Sequence, residues 1–414
     1  MSYPAEIRVS DVIQGLDIRF LIRSGMMRFI NDYRTTGKMN PMIKIHLIGT
    51  FIISLPYMVF QCLSLFKVQY DIKKGTFVIL HPMAAFQIYC RILVLWFNIE
   101  RQGKLYNIIR KDFLNIPKEM SHDASELYKK QNRTSNLCCN ATFLWNASIE
   151  LVYIFFPGVS VDYIENREIN KKVVNTGKNK IFSGWYPVPM SEYPYYEIIY
   201  IYEAMCLLWA STLLGLYFCM YFQLLMCLCT QYVALGYRVA NLKIDPVIYK
   251  LDKKYKSSIY QELCQIVKDH QKLLSYTDEL TSVYNPLVTM TLGIGIAVLI
   301  IGAIQFLLGK TSDPEIIFKL IQMFSFRTFF EVSMFCFGSS RIEEASSDLQ
   351  DAIYSSDWYK ADTNFKIGAQ MMMIRAKKRV NLTALFLYPV NLATLGSIVQ
   401  FTYSCSALMS GMAE

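Results

Sequence analysis

Seven apolar stretches, each poor in charged residues, divide the chain into alternating apolar and polar segments. They lie at residues 43–65, 77–98, 136–157, 197–228, 286–308, 316–338 and 381–407. A helix needs about 20 predominantly apolar residues to span the hydrocarbon core of a bilayer. The pattern therefore predicts an all-α integral membrane protein with seven transmembrane helices, built as a single domain over residues 1–414.

Two polar segments carry a helical pattern of their own. Segment 229–285 alternates apolar and charged residues, with Tyr260, Leu263 and Ile266 on one stripe, which predicts that the fourth and fifth helices extend beyond the membrane. Residues 1–42 predict a short amphipathic helix on the membrane surface. A cleavable signal is not expected there, because charged residues interrupt every apolar run.

Lys and Arg are distributed unevenly between the polar segments. Of the 42 Lys and Arg residues, 29 fall in residues 1–42, 99–135, 229–285 and 339–380, nine fall in the intervening segments, and four lie inside apolar stretches. Positively charged residues accumulate on the cytoplasmic side of membrane proteins. We therefore expect a cytoplasmic N-terminus, an extracellular C-terminus and an extracellular loop at 158–196, which is the natural candidate for a lid.

The composition argues against a soluble protein and against an enzyme. Hydrophobic residues make up 53% of the chain and charged residues 18%, whereas soluble domains usually carry about 25% charged residues. The net charge of +9 is concentrated in the predicted cytoplasmic segments, so a nucleic-acid partner has little support. The four His residues are scattered without ligand spacing. With no nucleophile or cofactor-binding motif either, we expect no catalytic residue, no cofactor and no metal.

Charged residues inside the apolar stretches are costly and need an explanation. Glu150 and Glu203 could border one polar cavity, or each could be hydrogen-bonded to a neighbouring Tyr, and the sequence leaves both readings open. Arg327 and Glu331 are four residues apart and are expected to pair on one helix face. Arg91 is expected to extend its guanidinium toward the inner interface.

The last apolar stretch has an unusual composition. It contains Pro389 and Gly396, and proline removes a helix hydrogen bond, so we expect a break into an inner and an outer half. The outer half carries polar residues such as Gln400, Tyr403 and Ser404. Such residues either hold helices together or line water, and the residues alone slightly favour the first role.

The segment FCFGSSRIEEASSDLQDAIYSSDWY, residues 335–359, joins the sixth apolar stretch to a carboxylate-rich helix. Its pattern is an aromatic, Cys and Gly turn, a run of Glu and Ser, and a final Ala-x-Tyr-x-x-x-Trp-Tyr. The matching positions are Phe335, Cys336, Gly338, Glu343, Glu344, Ser346, Ala352, Tyr354, Trp358 and Tyr359. This segment resembles the signature of insect odorant receptors, and the predicted topology is similar to that of this family.

The resemblance implies a role for each part of the chain. Helices one to six (43–338) would hold a small volatile ligand between helices two, three, four and six, the segment 339–380 would form a cytoplasmic anchor, and the last helix (381–407) would line a cation pore. The implied pocket residues are Phe86, Tyr89, Phe143, Ala147, Glu150, Tyr153, Tyr200, Met205, Trp209, Phe326 and Phe330. The implied pore residues are Gln400, Tyr403, Ser404 and Leu408, and the implied anchor residues are Glu343, Tyr354, Trp358 and Tyr359.

The resemblance also implies partners and separates related classes. An odorant receptor of this kind would act in the plasma membrane of olfactory sensory neurons, in a heterotetramer with the odorant co-receptor. The segment 229–285 is more compact than in the co-receptor, which favours a ligand-tuning subunit. One alternative is a gustatory-type channel, whose last helix carries Thr-Tyr followed by apolar residues and Gln-Phe. It is disfavoured because Ser-Cys-Ser follows Thr402-Tyr403 here. The other is a metabotropic seven-helix receptor, which is disfavoured by the predicted topology. A transporter would show two related halves.

Overall fold

The structure, a computed structural model, describes residues 41–67, 72–112, 121–155, 159–160, 179–182, 184–190, 192–308 and 327–413. Its elements, in chain order, are α1 (Pro41–Lys67), α2 (Ile72–Asp112), α3 (Ser121–Phe155), β1 (Val159–Ser160), β2 (Asn179–Lys180), α4 (Tyr195–Ala240), α5 (Pro246–Leu251), α6 (Lys253–Leu308), α7 (Arg327–Ser355), α8 (Thr363–Lys377), β3 (Thr383–Ala384), β4 (Tyr388–Pro389) and α9 (Leu392–Ala413). The predicted N-terminal amphipathic helix and the pocket candidate Phe326 lie outside the described residues.

Helices occupy all seven predicted stretches within the described residues: α1 to α4, then α6, α7 and α9. By length and composition, four of them are apolar enough to cross a membrane over Ile48–Phe66, Arg133–Phe155, Phe218–Ala240 and Lys253–Ala303, and the bent α2 adds a fifth. The all-helical membrane fold that the hydrophobic pattern predicts is confirmed. The orientation of the termini stays a prediction.

The helix α4 stands at the centre of the bundle. It packs against α7 and α3 and also contacts α6, whereas α1 packs chiefly against α2. Phe218, Tyr221 and Phe335 form an aromatic junction between α4 and α7, with ring centroids 5.6 Å apart for Phe218–Phe335 and 4.8 Å apart for Tyr221–Phe335. The largest buried cluster of the described residues follows this junction.

Among the helices that extend beyond the predicted stretches are α4, α6 and α7, as the alternation in residues 229–285 indicates for the first two. The helix α4 continues to Ala240, α6 begins at Lys253, and α7 continues to Ser355. Together with α5 and α8 they form what we call the anchor end, residues 229–285 and 339–380. Aspartates begin its short helices, since the Asp245 carboxylate accepts from Val247 N and Ile248 N and the Asp362 carboxylate accepts from Phe365 N.

The predicted inner half of the last helix is wrong. Residues 381–391 form a small hairpin instead, in which Thr383 pairs with Pro389, and α9 begins only at Leu392. Two causes are local: Pro389 has no N–H to give to a helix, and the Asn391 side chain accepts from Thr394 N at 3.0 Å, which caps α9. Neighbouring α6 supports the hairpin, because Asn285 Nδ2 donates to the Thr383 carbonyl at 2.6 Å.

Candidate functional site

A small cavity lies among the four helices that were expected to hold a ligand. Arg91 of α2, Phe218 of α4, and Phe330 and Glu331 of α7 line it, together with Thr142, Trp145 and Asn146 of α3. Its volume is ≈ 20 Å³. That is room for one ordered water, which needs about 10–15 Å³. We call it the inner cavity. A volatile ligand would enter it only if the surrounding side chains moved.

A buried ion pair closes one side of the inner cavity. The Arg91 guanidinium donates to the Glu331 carboxylate and to Thr291 Oγ1 at 3.2 Å, so it joins α2, α6 and α7. The Arg91 side chain is 5% exposed and that of Glu331 16%. The expectation that Arg91 extends to the interface is therefore wrong, whereas the Arg327 side chain expected to pair with Glu331 lies outside the described part of the structure. The Arg91 guanidinium pairs with the nearby Glu331 carboxylate instead of extending to the interface, because a buried charge needs a partner.

A second cluster, which we call the outer cluster, lies farther from the anchor end. Ile149 and Tyr153 of α3, Leu207 of α4 and Val298 of α6 form it together with two residues that follow β2, Ile181 and Phe182. The Phe182 ring packs against Tyr57 of α1, with ring centroids 5.2 Å apart, and against Tyr153, 6.5 Å apart. A residue of the long loop thus fills the space between helices.

The structure decides between the two readings for Glu203. Glu203 is fully buried and accepts from Tyr186 Oη at 2.9 Å and from Phe182 N at 3.2 Å, so it is a hydrogen-bonded carboxylate. Glu150 is buried one turn from Tyr153 in α3. The two acids therefore flank the outer cluster from α3 and α4.

The pocket candidates from the sequence separate into two groups. Inside the bundle are Tyr89, Glu150 and Tyr153, with Tyr200, Trp209, Ala147 and Phe330 partly buried, whereas Phe86, Phe143 and Met205 are exposed. The hydroxyl of Tyr200 donates to the Ile154 carbonyl and Tyr89 Oη donates to Ser54 Oγ at 2.8 Å. Tyr89 therefore packs toward α1, and Phe330 alone among the candidates lines the inner cavity.

The four pore candidates share one exposed side of α9. Gln400 and Ser404 are exposed, as are Tyr403 at 75% and Leu408 at 66%. The opposite side of α9 is held by the bundle, where Ile398 and Ser406 are buried. Residues 400, 404 and 408 are spaced by four, so they lie along one line of the helix. Within one subunit this line of residues is exposed and is not covered by the described elements.

The anchor candidates take different positions. Glu343 accepts from Asn391 Nδ2 at 3.3 Å and from Arg379 Nη1 at 3.4 Å, so it joins α7 to the start of α9. Trp358 packs against the core and donates from Nε1 to the Tyr354 carbonyl at 3.3 Å. Tyr354 and Tyr359 are exposed.

Charged groups tie the anchor end together within the subunit. Arg238 of α4 donates to Glu262 Oε1 at 2.7 Å and to Asp269 Oδ2 at 2.8 Å, both on α6. A hydrogen bond from Lys256 holds the pKa of Asp362 below its usual value. Burial, and then the positive charge of Arg375, lowers the pKa of His270 to about 4, so this imidazole is neutral at pH 7. Ion pairs within one subunit therefore hold α4 to α6 and α6 to the start of α8 at the anchor end.

The sequence reading missed an apolar face on α8. Ile367, Met371 and Ile374 are 44%, 65% and 73% exposed, while the opposite face of α8 is buried through Phe365, Ala369, Met372 and Ala376. The spacing of three and four residues on both faces was visible in the sequence. A helix that is apolar on two faces is usually covered on both.

Comparisons with known proteins place this geometry among insect receptors. The family model described as 7tm Odorant receptor matches residues 80–403. Odorant receptor 85b of Drosophila melanogaster is 24% identical over 150 residues, which cover 36% of this chain and 38% of that one. Odorant receptor 24a of the same organism is 28% identical over 192 residues, 46% of each chain. The matched regions thus cover less than half of these relatives.

The fold has solved counterparts. The insect olfactory receptor OR5 from Machilis hrabei superposes with a TM-score of 0.76 at 17% identity, over 95% of this chain and 99% of that one. The structure of OR5 in complex with eugenol gives a TM-score of 0.73 at 16% identity, over 96% and 100%. These similarities extend over the whole bundle and establish the fold.

Proposed function

The chain belongs to the 7tm odorant receptor family, and from this premise we propose that it is the ligand-tuning subunit of a heteromeric, odorant-gated cation channel. A small volatile ligand binds between α2, α3, α4 and α7 and opens a pore lined by α9. The other subunits are copies of the odorant co-receptor, and the complex lies in the plasma membrane of olfactory sensory neurons. The cytoplasmic N-terminus and extracellular C-terminus belong to the same proposal.

The exposed line on α9 carries the channel part of the proposal. Gln400 and Ser404 supply polar groups that keep water in a pore, and Leu408 supplies an apolar ring that closes it by dewetting. Polar side chains such as Gln400 and Ser404 are costly against lipid, because lipid offers them no hydrogen-bond partner. Neighbouring subunits around a central axis would remove the line from lipid.

The apolar face of α8 supports assembly. Ile367, Met371 and Ile374 lie on the anchor end, where Arg238 and other charged groups are already paired within the subunit. A partner that covers this face gains the burial of three large side chains, each contributing about 1.5–3 kcal/mol when fully removed from water. We propose that α8 contacts the neighbouring subunit.

The ligand part of the proposal is supported by the relative and by the cavity. Eugenol binds the similar receptor OR5, and we extend the class of small volatile ligands to this chain. Trp145, Phe218 and Phe330 supply the apolar wall of the inner cavity. Because ≈ 20 Å³ is far below the roughly 300 Å³ of a typical ligand pocket, binding must displace side chains that separate α3 from α7.

The test is electrical recording from cells that express this chain with the co-receptor, with each chain expressed alone as the control. We expect odorant-evoked cation current from the pair only. In Ser404→Cys, agonist should accelerate the block of current by an extracellular thiol reagent, and Leu408→Ser should raise the current without ligand. Equal block with and without agonist, together with unchanged leak, would remove α9 from the pore.

Assembly is tested at α8 with a matched pair of variants. Met371→Lys places a charge on the apolar face and should reduce co-purification of the co-receptor. Gln370→Lys adds the same charge at the adjacent exposed position and should leave co-purification unchanged. Equal co-purification of both variants would contradict the α8 contact.

A further inference from the structure

The hairpin of β3 and β4 is attached to α6 at the predicted edge of the membrane. Asn285 Nδ2 donates to the Thr383 carbonyl at 2.6 Å, and the Leu385 N–H donates to Thr289 Oγ1 at 2.8 Å. Both α6 residues lie at the start of the apolar stretch 286–308, on its anchor-end side. The hairpin is therefore held at the level where α6 enters the bilayer in the predicted topology.

The tip of the hairpin presents large apolar side chains that the described elements leave exposed. Their exposed fractions run from 59% to 78%, over Leu385, Phe386, Leu387 and Tyr388. Ala384 and Val390 are buried at the base of the hairpin, so the base packs on the bundle and the tip projects from it. A contiguous apolar surface of this kind marks a place that another molecule or lipid covers.

The turn at the tip contains residues that its conformation disfavours. The Leu387 N–H donates to the Ala384 carbonyl at 3.1 Å, and the two central residues, Leu385 and Phe386, have φ of 52° and 58°. Positive φ at both central positions is the pattern of a type I′ turn, which favours Asn-Gly because a Cβ is strained there. Strain at an exposed position that small polar residues would relieve indicates that the apolar side chains serve a contact.

Hydrogen bonds inside the protein satisfy backbone N–H groups of the hairpin. The Leu387 N–H is bonded within the turn, the Leu385 N–H to Thr289 Oγ1, and the Val390 N–H to the Leu382 carbonyl at 2.9 Å. Backbone that enters a bilayer has to find its partners within the protein, because hydrocarbon offers none. These three groups meet that requirement, which suits the hairpin to contact with lipid.

A cluster of cations precedes the hairpin. Its four members are exposed, and residues 375–390 contain no Asp or Glu; the members are Arg375, Lys377, Lys378 and Arg379. Arg379 Nη1 donates at 3.4 Å to Glu343 of α7, which lies just past the end of the apolar stretch 316–338. The cluster is thus also close to the membrane edge. Cationic clusters of this size beside a membrane helix attract anionic lipid headgroups.

We propose that the hairpin binds the bilayer in the leaflet nearest the anchor end, with its apolar tip among the acyl chains and the cations on anionic headgroups. Cations beside an apolar tip match the order of headgroups and acyl chains in a leaflet, which favours lipid over a protein partner. The ring of Tyr388 suits the interface between the two layers. The leaflet is the cytoplasmic one in the proposed topology, and the bound lipid holds the chain just before α9. The inference does not depend on a ligand or on a pore.

The depth of the tip is measured on the full chain in nanodiscs of phosphatidylcholine and phosphatidylserine. Leu387→Cys carries an environment-sensitive dye, and lipids with a nitroxide on the acyl chain quench that dye on contact. Leu251→Cys is the control, because Leu251 is 80% exposed and Leu387 78%, and α6 separates position 251 from residue 286 by roughly 50 Å. The unmodified chain gives the background of the native cysteines.

The dye at position 387 should lose most of its emission, while the dye at position 251 should keep it. Equal emission at the two positions would overturn the lipid contact. The measurement is then repeated with the co-receptor in the same nanodisc, where quenching at position 387 should persist. Loss of quenching on assembly would assign the tip to the neighbouring subunit and overturn the proposal.

A double variant separates the apolar side chains from the fold of the turn. Leu385→Asn with Phe386→Gly introduces the residues that a type I′ turn favours, so the melting temperature in detergent should stay the same or rise. Added to Leu387→Cys, the same pair should reduce quenching at position 387, because the tip no longer inserts. Unchanged quenching would refute insertion through these side chains.

Headgroup preference is measured by titrating the nitroxide lipid into the Leu387→Cys chain as phosphatidylserine or as phosphatidylcholine. The lipid fraction at half-maximal quenching should be about fivefold to tenfold lower for phosphatidylserine. Lys377→Gln with Lys378→Gln should remove this difference. Lys253→Gln with Lys254→Gln, an exposed adjacent pair at the start of α6, should preserve it. Equal fractions for the two lipids in the chain with all four cations would refute the anionic site.

Discussion

The stretch Ile48–Phe66 of α1 and the stretch Phe218–Ala240 of α4 have mean hydropathies of 1.7 and 1.5, yet 17% of the first is buried within the subunit and 94% of the second. The α4 stretch is surrounded by α3, α6 and α7, whereas α1 packs mainly on α2. Both are removed from water, one by protein and one by the bilayer. The difference teaches that hydropathy reports exclusion from water and says nothing about which neighbour excludes it.

The largest effect on stability is expected at the buried ion pair between Arg91 and Glu331. Glu331→Gln leaves the Arg91 guanidinium buried without a carboxylate, and breaking a buried pair costs about 3–5 kcal/mol. We expect a large fall in the melting temperature of the full chain in detergent. Glu344→Gln breaks an exposed pair with Arg341 in the same helix and should change stability by at most about 1 kcal/mol.

A double variant sharpens this result. Arg91→Met combined with Glu331→Met removes both charges and should be more stable than Glu331→Gln alone, because no unpaired charge remains. A double variant as unstable as the sum of its two single variants would mean that the two residues act independently.

The next largest effect compares the same truncation in the two stretches. Leu225 of α4 is 0% exposed and Leu55 of α1 is 41% exposed. Leu225→Ala leaves a cavity in close-packed surroundings and should reduce the free energy of unfolding by about 2–5 kcal/mol, whereas Leu55→Ala removes contacts that lipid or detergent can replace. Thermal melting of the two variants measures the difference. Equal losses would show that α1 is as tightly packed as α4.

A smaller effect follows from adding volume. A Cβ at Gly338 of α7 would lie 2.9 Å from Leu225 Cδ1, whereas Gly49 of α1 has nothing within 4 Å. Gly338→Val should destabilise the chain by about 1–3 kcal/mol through overpacking. Gly49→Val makes the same change in helix propensity without a clash, so the difference in melting temperature isolates the packing. Normal stability of Gly338→Val would show that α4 and α7 can move apart freely.

The smallest effect concerns pH at the anchor end. Burial lowers the pKa of His270 to about 4 from 6.5, so the folded state keeps the imidazole neutral while the unfolded state binds a proton below about pH 6.5. Stability is therefore lost as the pH falls from 6.5 toward 4, by less than about 1 kcal/mol at pH 6. His270→Gln should reduce this pH-dependent change in melting temperature. An identical pH dependence in the variant would assign the loss to other groups.

Several features were readable from the sequence because they depend on neighbours along the chain. The seven apolar stretches predict the positions of the helices, the alternation in 229–285 predicts the extensions of α4 and α6, and residues 335–359 indicate the family. The spacing of Gln400, Ser404 and Leu408 places them on one side of α9 whatever packs against it. Pro389 and Asn391 could have indicated that the last helix begins at Leu392. The apolar composition of residues 381–391 favoured a longer helix instead.

The tertiary structure decided which distant residues meet. Arg91 and Glu331 are separated by 240 positions in the chain, and nothing in the local pattern joins them. Lys180 lies in a segment that reads as a solvent loop, yet Glu203 and the bundle bury it completely. Hydropathy is a sum over local residues, whereas the partner of a buried charge and the choice between lipid and protein depend on contacts made only after the helices have packed.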